Sequence, residues 1–241
     1  MATILNIETS TEVCSVVLAR DGHVIQCREN LSGQNHARLV TVLINEVLEA
    51  YDISVSQLDA VAVSGGPGSY TGLRIGVSVA KGICYASHLP LIAITSLEAM
   101  AHHVIHHSDK YRLPETENIL FCPMIDARRM EVYTSVYDRN CTQIRQIQAD
   151  IIDHLSYLSY LDNNKVVFFG NGADKCLSTI THPNAIFVEG IITSANNMVP
   201  LAERDFTLQK FANVAYYEPF YLKDFIATIP VKNIFRSDTA V

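Results

Sequence analysis

Residues 3–30 read TILNIETSTEVCSVVLARDGHVIQCREN, and this stretch decides the fold. Thr3 to Thr9 is an apolar run of strand length, Val13 to Ala19 is a second, and His23 to Arg28 is a third. Asp21-Gly22 between the last two favours a tight hairpin, because both central positions of such a turn need positive φ. Three consecutive meandering strands are predicted. Working outward, His36, Leu39, Val40, Leu43, Ile44, Val47 and Leu48 recur at i, i+3, i+4, i+7, i+8, i+11 and i+12, one apolar stripe on a helical period. Leu58 to Ser64 is a further strand, broken by Gly65-Gly66-Pro67-Gly68. Ser69 or Thr71 is placed to cap a helix running to Ser87. Leu91 to Ile94 is a short strand, and Thr95 or Ser96 opens a helix that reaches the histidines at 102–107.

The second half repeats this grammar. Ile119 to Ile125, Glu131 to Tyr137 and Gln143 to Gln148 read as strands, and Asp150 is placed to cap a helix through Tyr160. Val166 to Phe169 is a very apolar strand stopping at Gly170-Asn171-Gly172. A helix, a short strand at Ile186 to Val188 and a longer helix from Ala195 to Ala212 complete the chain. Placing Ile7-Glu8 over Ile125-Asp126 aligns the two three-strand openings, each with a carboxylate at the end of its first strand. The pattern predicts two α/β lobes with mixed sheets, residues 1–110 and 111–241, joined by a polar link near 108–118.

Composition narrows the function. The 241 residues carry 18 Lys+Arg against 25 Asp+Glu, a formal charge of −7. Residues 1–110 hold 6 basic and 10 acidic side chains, and 111–241 hold 12 and 15, so neither half offers the basic surface of a free-standing nucleic-acid binder. No signal segment and no apolar run approaching the ~20 residues of a membrane span is present. The six cysteines are scattered without a C-x-x-C pair, which suits reduced thiols in a cytoplasmic protein.

Three groups of residues invite chemistry. The block Gly65-Gly66-Pro67-Gly68-Ser69-Tyr70-Thr71-Gly72-Leu73-Arg74-Ile75-Gly76 is a glycine-rich turn between strand and helix. Gly66, Gly68, Ser69 and Arg74 there are candidates for contacting an anion or nucleotide. It lacks the Lys-Ser/Thr of a P-loop and the glycine spacing of a dinucleotide fingerprint. Gly72, Gly76 and Ala80 lie four apart, a small-residue stripe that equally suits close helix packing, and both readings stay open. Glu8 and Asp126 form a carboxylate pair suited to a metal-nucleotide across a cleft. Their Thr-Ser-Thr and Ala-Arg-Arg neighbours lack the glycine such sites use, which favours turn capping. His102/His106 and His103/His107 are two i, i+4 pairs at a helix end, where solvated histidines on the helix dipole are the simpler reading, and no metal is expected. No nucleophile elbow exists.

Ile7-Glu8-Thr9-Ser10-Thr11 with Cys14-Ser15-Val16, Gly66-Pro67-Gly68-Ser69-Tyr70-Thr71-Gly72-Leu73-Arg74-Ile75-Gly76, Lys81-Gly82, Ser96-Leu97-Glu98-Ala99-Met100 and Asp126-Ala127-Arg128-Arg129-x-Glu131-Val132-Tyr133 closely resemble the bacterial TsaB (YeaZ) family. The match is looser after residue 140, where Gly170-Asn171-Gly172-Ala173 and Pro219-Phe220-Tyr221-Leu222 are the landmarks. The resemblance implies an actin/Hsp70/sugar-kinase-like, ribonuclease H-like duplicated fold. It also implies a subunit without activity of its own that supports threonylcarbamoylation of the adenosine beside the anticodon in tRNAs reading codons that begin with A. In that family a homologous partner, TsaD, does the chemistry with a metal held by an H-x-E-x-H motif and a threonylcarbamoyl-adenylate; TsaE, an ATPase, is the third component. No cofactor is expected to bind the chain alone, ATP being used by the complex, and tRNA is reached through the partners. Aligning the Pro90-Leu91-Ile92-Ala93-Ile94 approach puts the metal motif on Ser96-Leu97-Glu98-Ala99-Met100. A hydroxyl and a thioether there replace both imidazoles. The resemblance assigns the partner interface, TsaD or a second copy in its absence, to His36, Leu39, Val40, Leu43, Ile44 and Val47 of the first helix and to Gly72, Gly76 and Ala80 of the second. The alternatives are an active ATP-binding small-molecule kinase of the same fold, which would need ATP, and a stand-alone metallopeptidase-like protein, which would need a metal.

Overall fold

The computed structural model describes residues 2–33 and 35–222; the last part of the expected second lobe, 223–241, lies outside the described residues. Strands β1 (Thr3–Glu8), β2 (Cys14–Arg20) and β3 (His23–Asn30) form the expected meander. The β2–β3 turn is Asp21-Gly22, both with positive φ (50° and 73°). Helix α1 (His36–Glu49) leads to β4 (Ala60–Ser64), α2 (Tyr70–Ser87), β5 (Leu91–Ile94) and α3 (Ser96–His106). The order across the sheet is β3-β2-β1-β4-β5, antiparallel through β3, β2 and β1 and parallel from β1 to β5.

The second sheet repeats the first. Strands β6 (Ile119–Asp126), β7 (Glu131–Tyr137), β8 (Gln143–Ile151), β9 (Lys165–Phe169) and β10 (Ala185–Val188) lie in the order β8-β7-β6-β9-β10, with the same alternation of antiparallel and parallel pairs. This is the duplicated, ribonuclease H-like topology of the actin/Hsp70/sugar-kinase fold. Glu8 and Asp126 end the equivalent strands β1 and β6, as the internal alignment requires.

Two expected helices are absent. Asp150 lies within β8, which runs on to Ile151, and only the short α4 (Leu158–Leu161) follows. The Asp150 carboxylate holds Arg145 through both oxygens (2.7 and 2.5 Å) and accepts from the Tyr157 hydroxyl at 2.7 Å, so it has no helix amides left to cap. After β9 the chain makes one 3-10 turn, Asp174–Cys176, in place of a helix. The second lobe is thus the reduced copy: one sheet face is covered by short segments, with Tyr157, Leu161, Ala173, Cys176 and Ile180 packed on Cys122, Met124, Val166 and Phe168.

The helices do not follow chain order. Helices α1 and α2 cover one face of the first sheet through Val40, Leu43, Ile44, Val47, Val77 and Ala80; each buried Val, Leu or Ile there is worth roughly 1.5–3 kcal/mol. Helix α3 packs on the second sheet through Leu97, Met100, Val104 and Ile105. Helix α5 (Ala195–Thr207) returns to the first sheet, setting Met198, Leu201 and Ala202 on Ile4, Ala62 and Ile92. Beyond it, Ala212 donates its amide to the Leu91 carbonyl at 2.8 Å.

Candidate functional site

Glu8 ends β1 and the glycine-rich block follows β4, and these two strands are parallel neighbours in the first sheet. Glu8 is 1% exposed. One carboxylate oxygen accepts the Ser10 amide at 2.6 Å, the other has no partner, and burial raises its pKa. Asp126 is exposed, accepts the Arg128 amide at 2.9 Å and is ion-paired with Lys175. Both acids cap the turn that follows their own strand by the same two-residue bond, the role their Ser/Thr and Ala-Arg neighbours favour. Burial disfavours the charged form of Glu8, and Asp126 is engaged by Lys175. Asn171 connects the two turns, donating to the Glu12 carboxylate at 3.3 Å and accepting the Asp126 amide at 3.1 Å.

The glycine-rich block is resolved by what a side chain would meet. A Cβ at Gly68 would collide with the Ser10 carbonyl oxygen, at Gly72 with the Thr9 carbonyl oxygen, and at Gly76 with the Thr9 hydroxyl. The Thr9 hydroxyl donates to the Gly72 carbonyl at 2.8 Å and the Ser69 amide donates to the Ser10 carbonyl at 2.6 Å. Ser69 caps α2 through the Gly72 amide at 3.3 Å. Small residues here let α2 rest on the β1–β2 turn, the close packing that the stripe suits. The six residues expected around an anion do not converge. Glu8 and Gly66 are buried, Gly68 and Ser69 are engaged with Ser10, and Asp126 belongs to Lys175. Arg74 lies 4.7 Å over the Tyr70 ring.

Sequence reasoning missed the segment that covers this loop. Phe220 donates its amide to the Gly65 carbonyl at 2.8 Å, Lys81 reaches the Ala215 and Tyr217 carbonyls at 3.1 and 2.9 Å, and Tyr221 packs on Tyr70 with ring centroids 4.8 Å apart. A cavity of about 490 Å³ remains between strap and loop, lined by Ile94, Thr95, Tyr217 and Phe220. The Pro219-Phe220-Tyr221 aromatics were the available signal.

The interface expected on α1 and α2 needs correction. His36, Val40, Leu43, Ile44, Val47, Gly72, Gly76 and Ala80 are buried within the chain's own fold. Leu43, at 8% exposure, belongs to the first sheet's core, and a charge there would break the fold before it tested any partner. His36 donates from Nε2 to the Thr11 and Val13 carbonyls at 2.9 and 3.2 Å, which pins the β1–β2 turn. Of the expected residues only Leu39 stays partly at the surface; with it α1 and α2 expose Ile75, Val79 and Ile83, partly buried, and Val42, 48% exposed. Gly82 lies on this helix with open space at its Cβ position.

Among the described residues no three His, Cys, Asp or Glu are placed to hold an ion. His102 stacks on His106 and His103 on His107, centroids 3.9 and 4.5 Å apart. His106 and His107 donate to the carbonyls four residues back. Partial burial, reinforced by the neighbouring imidazoles, lowers the pKa of His102 and His103 to about 4. At the aligned metal motif, Ser96 and Met100 are each 1% exposed, and Glu98 is bound by Arg204 at 2.9 Å.

Among the described residues no helix is long and apolar enough to cross a membrane. A family model described as TsaD, tRNA N6-adenosine threonylcarbamoyltransferase, matches residues 30–231. The tRNA threonylcarbamoyladenosine biosynthesis protein TsaB of Haemophilus influenzae is 30% identical over 231 residues, covering 92% of this chain and 94% of its own. The protein of the same name from Escherichia coli K12 is 28% identical over 234 residues, covering 93% and 96%. YeaZ from Pseudomonas aeruginosa shares the fold, with a TM-score of 0.77 at 23% identity over 92% of this chain and all of that one. With relatives aligned over nearly their whole length, the chain belongs to the TsaB (YeaZ) family of tRNA threonylcarbamoyladenosine biosynthesis proteins.

Proposed function

We propose that this chain is the non-catalytic subunit required for threonylcarbamoylation of the adenosine beside the anticodon in tRNAs reading codons that begin with A. It binds and activates a TsaD-family partner. The observation that carries the reading is the state of the aligned metal motif: Ser96 and Met100 are built into the core and Glu98 is held by Arg204. No imidazole stands at those positions for an incoming metal to use. A partner supplies the chemistry, TsaE is the third component, and ATP is consumed by the assembled complex in the cytoplasm.

The partner contact is carried by the half-exposed row Leu39, Val42, Ile75, Val79 and Ile83 on α1 and α2. Gly82 supports this surface. An exposed glycine inside a helix costs roughly 1 kcal/mol relative to alanine, and nothing in the chain's own fold fills the space at its Cβ, so an approaching partner helix gives it a purpose. Without the partner the same row pairs two copies of the chain.

Reconstitution tests the reading. The purified chain is expected to yield no modified tRNA alone, and product when joined by its cognate TsaD-family subunit, TsaE, ATP and a threonylcarbamoyl-adenylate source. Gly82→Gln should abolish assembly by size-exclusion chromatography while leaving the melting temperature within a few degrees. Product from the chain alone, or tight binding of ATP, zinc or iron to it, would overturn the silent-subunit reading.

A further inference from the structure

The loop joining β6 to β7 is built against the usual preferences of a hairpin. Arg128 and Arg129 stand consecutively in the left-handed region, with φ 70° and 49°, where glycine or asparagine is the ordinary choice. Both side chains are exposed, as is Met130. Neither guanidinium has a carboxylate partner among the described ion pairs; the Arg128 amide bonds Asp126, and the Arg128 carbonyl accepts from the Glu131 amide. Lys175 holds the strained loop in place: its ammonium bonds Asp126 and donates to the Arg129 and Glu131 carbonyls, the latter two at 2.7 Å each. The lysine also pairs with Asp126, and the loop tip carries two adjacent arginines, with Glu131 two residues on, on a chain of net charge −7. A strained backbone retained with two long cationic side chains argues that the side chains are what the loop is for.

We infer that Arg128 and Arg129 form a contact for the phosphodiester backbone of RNA. The guanidinium fork matches two oxygens of one phosphate, and adjacent arginines on a clamped turn can take neighbouring phosphates with little further ordering. The contact adds affinity without reading sequence. It rests on the proposed tRNA role and assigns this acidic subunit a direct share in holding the substrate. An acidic protein surface would also attract the pair. Two adjacent guanidinium forks suit the repeated phosphates of a nucleic-acid backbone, and Met130 is exposed beside them.

The test uses the assembled complex. Wild-type chain and the double variant Arg128→Gln/Arg129→Gln are each combined with the cognate TsaD-family subunit and titrated into labelled tRNA by fluorescence anisotropy at three salt concentrations. The variant is expected to bind roughly tenfold more weakly at the lowest salt, with the slope of log K against log salt reduced by about 2, one for each lost phosphate contact. Assembly and melting temperature should not change. Equal affinities and slopes overturn the inference. So does loss of assembly in the variant, which would assign the arginines to a protein partner. A wild-type complex that binds tRNA with the expected slope but forms no product would instead count against the proposed function alone.

Discussion

Adding the same methyl group at two glycines of α2 should shift stability in opposite directions. At Gly72 a Cβ collides with the Thr9 carbonyl oxygen, a backbone atom of the tight β1–β2 turn. The helix must therefore move away from the turn, stretching the 2.8 Å bond from the Thr9 hydroxyl and the 2.6 Å bond between Ser69 and Ser10. Overpacking of this kind costs about 1–3 kcal/mol, and a lost hydrogen bond about 1 kcal/mol. Alanine returns roughly 1 kcal/mol of helix propensity. The net is a loss of about 1–3 kcal/mol, a fall of roughly 3–10 °C in Tm for a chain of this length. Gly82 faces open space, so Gly82→Ala keeps the propensity gain, and Tm should rise by roughly 2–4 °C. Thermal and urea unfolding of the isolated chain, followed by circular dichroism, measure both. A Gly72→Ala protein as stable as wild type would refute the claim that the glycine stripe exists to seat α2 on the β1–β2 turn.

Stability should fall as pH drops from 6.5 towards 4, because His102 and His103 resist protonation in the fold, near pKa 4, while the unfolded chain takes up protons at about 6.5. His102→Gln/His103→Gln should flatten that part of the profile in urea titrations, and an unchanged slope would remove the histidine cluster as its cause. Glu8 behaves in the opposite sense. Its raised pKa gives stability that is present at low pH and lost as pH rises through the folded value, so Glu8→Gln should gain on wild type as melts move from pH 5 to pH 8. Tyr157→Phe removes the hydroxyl that donates to Asp150 at 2.7 Å and should cost about 1.5–3 kcal/mol, the range for a bond to a charged group. Urea unfolding would show an unchanged midpoint if the bond contributes nothing.

Much of the architecture was legible because periodicity is a property of the sequence. Alternation located the first meander, Asp21-Gly22 located its turn, and the stripe from His36 to Leu48 located α1. The same stripe did not say what covered it. Apolar residues at helical spacing look alike whether a sheet or a partner lies opposite, and only the packed structure puts Leu43 and Val47 on the chain's own strands. The glycine block was ambiguous for a related reason: missing side chains make room equally for a phosphate and for a neighbouring backbone, and the Thr9-Ser10 turn occupies that room. Asp150 misled as a helix cap because its partners, Arg145 and Tyr157, are chosen by tertiary packing. The left-handed arginines at 128 and 129 were out of reach, since φ is not written in residue type when the residues are not glycine.

The exchange of helices between the lobes bears on how the chain emerges from the ribosome. Ile4, Ala62 and Ile92 of the first sheet are complete once residue 94 has been made, yet their cover on one face, Met198, Leu201 and Ala202, belongs to α5. Roughly a hundred residues separate the two, and at about 5–20 residues per second the nascent sheet waits some seconds with an apolar face open to water or to a chaperone. For the same reason, cutting the gene between the sheets would give two fragments that each lack a helix supplied by the other, to be rescued by co-expression and not by either half alone.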